Sequence, residues 1–250
     1  MICESEYVMN KFIFDVDGTL TPSRRAIDKR FAVWFRSFCK TNDVYLVTGS
    51  DRDKTIEQVG EEIYNSVKRV YNCSGNDVWE QDKNIRTSQW KLPSDAEAWL
   101  RTRCKMSDFP LRTGLHIEDR PGMINFSVVG RNATLGERKM YVEFDTKEKE
   151  RTWIANAFKE KFPEIEAVVG GDTGIDIYPV GHDKSQILRD FDIVNDFIYF
   201  FGDKMDFGGN DWPLKMKFVT EKWSGNTRAV EGWQDTWQQL QEIVSEHSCI

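Results

Sequence analysis

Lys11-Phe12-Ile13-Phe14-Asp15-Val16-Asp17-Gly18-Thr19-Leu20-Thr21-Pro22-Ser23-Arg24 is the stretch whose reading decides the fold. Phe12, Ile13 and Phe14 form a short apolar run that suits a buried strand of a parallel sheet. Asp15 and Asp17 follow at once, then Gly18 and Thr19, and Pro22 shuts the strand off. In open α/β sheets, ligands gather outside the carboxyl ends of the strands, where these two acids fall. Two carboxylates this close repel unless a cation or a proton lies between them. Asp-Gly also marks turns, but a turn needs neither a second Asp nor a Thr beyond it, so the stretch reads as chemistry.

The pattern continues outward from this strand. Ile27, Phe31, Trp34, Phe35 and Phe38 recur at helical spacing and predict an amphipathic helix over 26–40. Val44 to Val47 is the next apolar strand, ending in Thr48-Gly49-Ser50-Asp51, and a helical pattern runs from there to about Gly60. Val67 to Tyr71 is a third strand. This β-α-β-α-β order is the mark of a parallel sheet covered by helices.

From about Val78 to His182 the character changes. A helix is expected over 94–104 and another helix face at Ile154, Ala157, Phe158 and Phe162. Ile124, Phe126 and Val128 alternate with Asn125 and Ser127, and Ile175 and Ile177 with Asp176 and Tyr178, as half-exposed antiparallel strands do. The core pattern returns with the strand Phe197 to Phe201 and its Gly202-Asp203-Lys204 ending. Gly208-Gly209-Asn210-Asp211, the apolar Phe218-Val219-Thr220 and a terminal helix near 230–246 follow. The fold class is therefore α/β, a Rossmann-like core with a parallel sheet, interrupted by an inserted α+β domain. The expected division is a core of residues 1–79 and 185–250 around an insert of 80–184.

Bulk properties narrow the function. The 250 residues suffice for two packed cores. A net charge of -7 and a pI near 5.2 argue against a nucleic-acid surface. The five cysteines, Cys3, Cys39, Cys73, Cys104 and Cys249, have no metal-ligand spacing and read as reduced thiols of a cytoplasmic protein. Glu4 and Glu6 interrupt the first ten residues, so no signal peptide is expected, and no apolar run has the length of a membrane span. His116 and His182 read as structural or exposed.

Asp15/Asp17, Thr48-Gly49-Ser50, the Lys184 region and Asp203 are alike in kind: carboxylates, hydroxyls and a lysine at strand ends. Together they suit a phosphoryl group bound to Mg²⁺, a hard cation held by one or two carboxylates and phosphate oxygens. Lys184 and a hydroxyl would neutralise the phosphoryl oxygens. A Walker-type glycine loop is absent, which sets a nucleotide-driven kinase or ATPase aside. Asp206 and Asp211 remain open as ligands, outer acids or helix caps, with Asp211 ahead.

Asp15-Val16-Asp17-Gly18-Thr19-Leu20-Thr21 resembles the first motif of the haloacid dehalogenase-like superfamily, and Gly202-Asp203 its last. Asp15 to Arg24, Gly49-Ser50-Asp51, Arg120 to Arg131, Gly170-Gly171 through Lys184, Phe200 to Lys204 and Gly208 to Asp211 look, in order, like the eukaryotic-type phosphomannomutase family. The resemblance implies that the insert is a substrate-specificity cap, that Asp15 is the nucleophile and that Asp17 is the general acid/base. It further implies Mg²⁺ held by Asp15, the backbone carbonyl of Asp17 and Asp203, with Lys184 and Ser50 or Thr48 on the phosphoryl group. Arg120, Arg131 and Asp176 in the cap, and Arg24 on the core side, match family positions that hold the distal phosphate and the sugar hydroxyls.

This sequence departs from the family at three places. Gly174 stands where the family has a Ser that gives phosphate a hydroxyl. Thr113 falls at a family Arg, with Arg112 next to it as the replacement considered, although a one-residue slip turns a strand side chain to the opposite face. Lys215 and Lys217 stand near a loop that binds a second cation in family members, and none is expected here. The implied activity interconverts mannose 6-phosphate and mannose 1-phosphate after a sugar bisphosphate, glucose 1,6- or mannose 1,6-bisphosphate, charges Asp15. The partner is a small hexose phosphate, with a homodimer through the caps. The alternatives are a sugar-phosphate phosphatase of the same fold and, more remotely, a non-catalytic sugar-phosphate-binding module.

Overall fold

Residues 9–247 are described by a computed structural model, and Cys3 and Cys249 lie outside them. The opening apolar run is β1 (Met9–Phe14). It is followed by α1 (Lys29–Thr41), β2 (Asp43–Val47), α2 (Arg52–Val59), α3 (Glu61–Ser66) and β3 (Arg69–Asn72). β1 has every reason to be central. Phe12 and Phe14 face one side, where Phe12 stacks on Tyr199 and meets Phe38 edge-on, and Phe14 does the same with Phe201 and Phe35. Ile13 faces the other side, among Val47, Ile187, Phe200 and Leu214. A strand buried on both faces needs layers on both sides, and that gives a helix–sheet–helix sandwich. Asp28 starts α1 by accepting from the backbone N–H groups of Arg30 and Phe31.

β4 (Asp77–Glu80) and β5 (Lys83–Thr87) form an antiparallel hairpin on β3, so both belong to the core sheet. This corrects the expected boundary after residue 79: the chain leaves the core only beyond Thr87. Asp77 closes the hairpin by accepting from Trp79, Asn84 and Thr87 side chains. The insert then runs α4 (Ser94–Met106), β6 (Ile117–Arg120), β7 (Met123–Phe126), α5 (Leu135–Glu148), α6 (Glu150–Lys161), β8 (Ile165–Gly170) and β9 (Gly174–Pro179). The core resumes with a 3-10 helix (Lys184–Asp190), β10 (Asp196–Gly202), α7 (Trp212–Thr220), β11 (Gly225–Ala229) and α8 (Trp233–His247). Phe218-Val219-Thr220 closes α7 and is not part of a strand; the last strand is the polar β11, paired parallel with β10.

The core sheet has the order β11-β10-β1-β2-β3-β4-β5 and the insert sheet β6-β7-β9-β8. The insert sheet is antiparallel, and its alternation sorts the residues cleanly. Ile124, Phe126, Ile175, Ile177 and Ala167 face α4, α5 and α6 in a second hydrophobic core. The opposite face carries Glu118, Arg120, Asn125, Gly174 and Asp176, and it is turned toward the seven-stranded core: Arg120 donates to the Gly49 carbonyl oxygen at 2.8 Å. Among the described residues no helix is long and apolar enough to cross a membrane.

Candidate active site

Strand ends and helix starts of the core converge as parallel-sheet geometry requires. Asp15 follows β1, Asp203 follows β10, Asp211 precedes α7, and Lys184 opens the 3-10 helix. The Lys184 ammonium is buried and donates to Asp15 Oδ1 at 2.5 Å and to Asp211 Oδ1 at 2.7 Å. Carboxylate oxygens of Asp15, Asp203 and Asp211 all lie within 4.8 Å of one another. Two glycines make this approach workable. A Cβ on Gly18 (φ +79°) would fall 2.3 Å from Asp203 Oδ2, and one on Gly202 would fall 2.6 Å from Asp211 Oδ2.

Three acids share one ammonium here, and the electrostatics register the deficit. Burial pushes the Asp15 carboxyl well above the usual carboxylate range; Lys184 opposes that shift, while Asp211 and Asp203 add to it. Burial, aided by Asp211 against Lys204, raises Asp203 to about 6. Burial works against the Lys184 charge, yet Asp15 and Asp211 reverse this and hold it above its ordinary value. A surplus of hard, buried carboxylate oxygens around one corner is a donor set that fits a divalent cation. The Asp17 carboxylate stays out of the cluster. Its Oδ1 accepts from Gln58 Nε2 at 2.9 Å and from the Arg24 backbone N–H at 2.6 Å, which holds the carboxylate apart from Asp15, Asp203 and Asp211 with its Oδ2 unbonded.

A cavity of about 300 Å³ lies between core and insert, and Asp15, Asp17, Thr48, Ser50, Arg24, Arg120, Arg131, Asp176 and Asp203 all line it. The expected arginines differ in state. Arg120 donates to Glu118 at 2.9 Å and to the core backbone; burial disfavours its charge, but Asp176 and Glu118 outweigh that. Arg120 is thus neutralised, and it bridges the two domains. Arg131 leans on the same Glu118 carboxylate, yet burial first, then Arg120, with Arg24 and Arg138 contributing, outweigh Glu118 and lower its guanidinium to about 10. Its Nε is 2.6 Å from Glu118 Oε2 without a hydrogen bond's alignment. Arg138 is lowered as well, by burial and by Arg24. A guanidinium at about 10 is still charged at neutral pH, so Arg24, Arg131 and Arg138 form a cationic group that Glu118, already shared with Arg120, and Asp172 offset only in part.

Arg138 escaped the reading of the sequence, though a signal existed. Thr134-x-x-Glu137 is a capping box, realised with both reciprocal bonds, and it fixes the start of α5 so that Arg138 lies in the first turn beside the Arg131 loop. Arg112 must be corrected in the other direction. Its guanidinium donates to the carbonyl oxygens of Cys104 (2.9 Å), Ser107 (2.9 Å), Leu111 (2.8 Å) and Phe109, and it does not line the cavity. Cys104 and Ser107 are acceptors left over at the end of α4, and Phe109 and Leu111 belong to the loop that follows, so Arg112 ties the loop back to the helix end. Thr113 donates to Glu137 and gives the cavity nothing either. His182 bonds Asn76, and His116 bonds the Ser127 carbonyl oxygen.

The family model of eukaryotic phosphomannomutase matches residues 33–246. The phosphomannomutase of Spinacia oleracea is 32% identical over 240 residues, 92% of this chain and 94% of that protein. That of Saccharomyces cerevisiae is 31% identical over 244 residues, 93% of each. Among solved structures, a haloacid dehalogenase-like hydrolase from Bacteroides thetaiotaomicron superposes with a TM-score of 0.57 at 12% identity, covering 94% of this chain and 99% of that one. A truncated Plasmodium falciparum IMP-nucleotidase gives 0.59 at 17% identity, covering 95% and 71%. The structures share the fold; the sequences carry the closer relation. The chain belongs to the eukaryotic phosphomannomutase family.

Proposed function

We propose that this chain is a phosphomannomutase, interconverting mannose 6-phosphate and mannose 1-phosphate through an aspartyl-phosphate on Asp15. The observation that carries the reading is one cavity with two unlike ends: the Asp15 and Asp203 carboxylates, backed by the buried Lys184, on the core and the Arg24, Arg131 and Arg138 group toward the insert. A mutase must hold a hexose phosphate in two orientations, so it needs a grip for the phosphate that is not reacting. A phosphatase of a monophosphate has no such requirement.

Asp15 attacks phosphorus through a carboxylate oxygen. The bond to the departing sugar oxygen breaks, and Asp17 gives that oxygen a proton. Both bonds to the Asp17 carboxylate fall on Oδ1, leaving Oδ2 for the substrate. In the second half Asp17 takes the proton of the other sugar hydroxyl, whose oxygen attacks the phosphoryl group and frees Asp15. Lys184, Thr48 and Ser50 are suited to balance phosphoryl charge. Mg²⁺, held by Asp15, the Asp17 carbonyl oxygen and Asp203 with Asp211 behind them, would add charge neutralisation. A sugar bisphosphate, glucose 1,6- or mannose 1,6-bisphosphate, would be the phosphoryl source. Arg24, Arg131 and Arg138 take the distal phosphate bidentately. Asp176, fixed by Asn125 at 2.6 Å, takes sugar hydroxyls. Arg120 draws the cap onto Gly49 and keeps water out.

The same reading includes work in the cytoplasm and pairing of two chains through their caps, for which sedimentation at increasing concentration is the test. For the activity, phosphorus NMR follows mannose 1-phosphate with Mg²⁺, with and without catalytic glucose 1,6-bisphosphate. Bisphosphate-dependent appearance of mannose 6-phosphate is expected. Steady release of inorganic phosphate with no isomer would replace the mutase by the phosphatase.

A further inference from the structure

We propose that the hydroxyl of Thr173 is the neutral hydrogen-bond donor of the cap's phosphate grip, doing from the β8–β9 turn what the side chain at position 174 cannot do. The inference rests on the mutase reading above and adds a residue to it.

Thr173 lies in the turn between β8 and β9 and is 1% exposed. It lines the cavity together with Arg24, Arg131 and Arg138, and its Oγ1 is buried without a hydrogen-bond partner. A buried hydroxyl without a partner destabilises the free protein, since it has left water and gained nothing. Valine has the same shape and would remove that cost. A threonine held at this place is therefore explained by a partner that arrives from outside. The groups around it specify the partner, because three guanidinium charges that Glu118 and Asp172 offset only in part suit a phosphate, and phosphate oxygens accept from hydroxyls.

The turn is built to hold the side chain still. Gly171 takes φ +55°. Arg151, itself fixed by Asp145 at 2.9 Å, donates from α6 to the carbonyl oxygens of Gly171 (3.0 Å) and Gly174 (3.4 Å), on either side of Thr173. The neighbouring strand position is closed to a hydroxyl. A Cβ on Gly174 would fall 2.5 Å from Asn125 Nδ2 and 3.0 Å from its Oδ1, and Asn125 cannot yield without leaving Asp176. Strand alternation would normally send the residue before 174 to the opposite face. Thr173 escapes that rule because it stands in the turn, ahead of the first residue of β9.

Thr173→Val and Thr173→Ser are compared with wild type by calorimetric titration with mannose 1-phosphate and by thermal melting without ligand. For Thr173→Val we expect affinity to fall about tenfold or more, the loss of one hydrogen bond to a charged acceptor, while the ligand-free melting temperature stays level or rises. Thr173→Ser keeps the hydroxyl and should keep most of the affinity. Wild-type affinity in Thr173→Val overturns the assignment. So does a lowered melting temperature in that variant, which would mean the hydroxyl serves the protein itself. Should wild type bind no hexose phosphate, the mutase reading fails and takes this assignment with it; unequal fates of wild type and variant separate the two.

Discussion

Replacing Lys184 by methionine removes the one ammonium shared by Asp15 and Asp211 while keeping most of the buried stem. Both bonds are short, 2.5 and 2.7 Å, and the side chains of all three residues are almost wholly sequestered. Removing one partner of a buried ionic group leaves uncompensated charge, at a cost of about 3–5 kcal/mol. For a domain of this size that corresponds to a melting temperature lower by roughly 6–20 °C. The pH dependence sharpens the test. Asp15 and Asp203 are raised above ordinary carboxylates in the folded chain, Asp203 to about 6. The folded state thus binds more protons than the unfolded one over this window, and their contribution to stability is lost as pH rises from about 4, the unfolded value, through the folded values. Without Lys184 the carboxylates rise further, so the deficit of Lys184→Met should shrink between pH 7.5 and pH 5.5. Calorimetric melts in chelator at the two pH values make the measurement. A variant that melts with wild type at pH 7.5, or whose deficit grows in acid, refutes the account of Lys184 as the buried counter-ion.

Three further outcomes are expected. Arg131→Ala should weaken mannose 1-phosphate by about 1.5–3 kcal/mol in a calorimetric titration, one charge-assisted contact, with little change in melting; unchanged affinity would move the distal phosphate elsewhere. Arg112→Ala should leave KM for hexose phosphate unchanged while lowering stability by about 1–2 kcal/mol through its released carbonyls, and a raised KM in steady-state assays would return Arg112 to the site. Gly18→Ala should cut turnover severely, because its Cβ falls 2.3 Å from Asp203 Oδ2 at φ +79°; near-normal kcat would show that Asp203 has room to shift.

The centre of the site was legible because its signals are local. An apolar strand followed by Asp15 and Asp17, and a second ending in Gly202-Asp203, announce the carboxyl edge of a parallel sheet. Asp211 was harder. It joins the cluster only because Lys184 and Gly202 let a helix-start acid fold back against β10, and no spacing in the sequence encodes that approach. Arg112 looked available because it neighbours a position where an arginine was expected, yet the end of α4 and the loop after it supply four acceptors that claim it. The polar strands β5 (Lys83–Thr87) and β11 (Gly225–Ala229) escaped for a different reason. At the two edges of the sheet, backbone pairing with a neighbour decides strand formation, and side-chain alternation carries little signal. Phe218-Val219-Thr220 shows the converse, an apolar run too short to distinguish strand from buried helix end.

The central claim is that Asp15 carries the phosphoryl group and hands it to a sugar. Rapid quenching of wild type with a radiolabelled sugar bisphosphate and Mg²⁺, followed by peptide mapping and a chase with mannose 6-phosphate, tests it directly. The account predicts label on the peptide containing Asp15, absent in Asp15→Asn, and transferred to sugar faster than it is lost to water. Label on another residue, or discharge into inorganic phosphate at the same rate with and without the sugar, would contradict it.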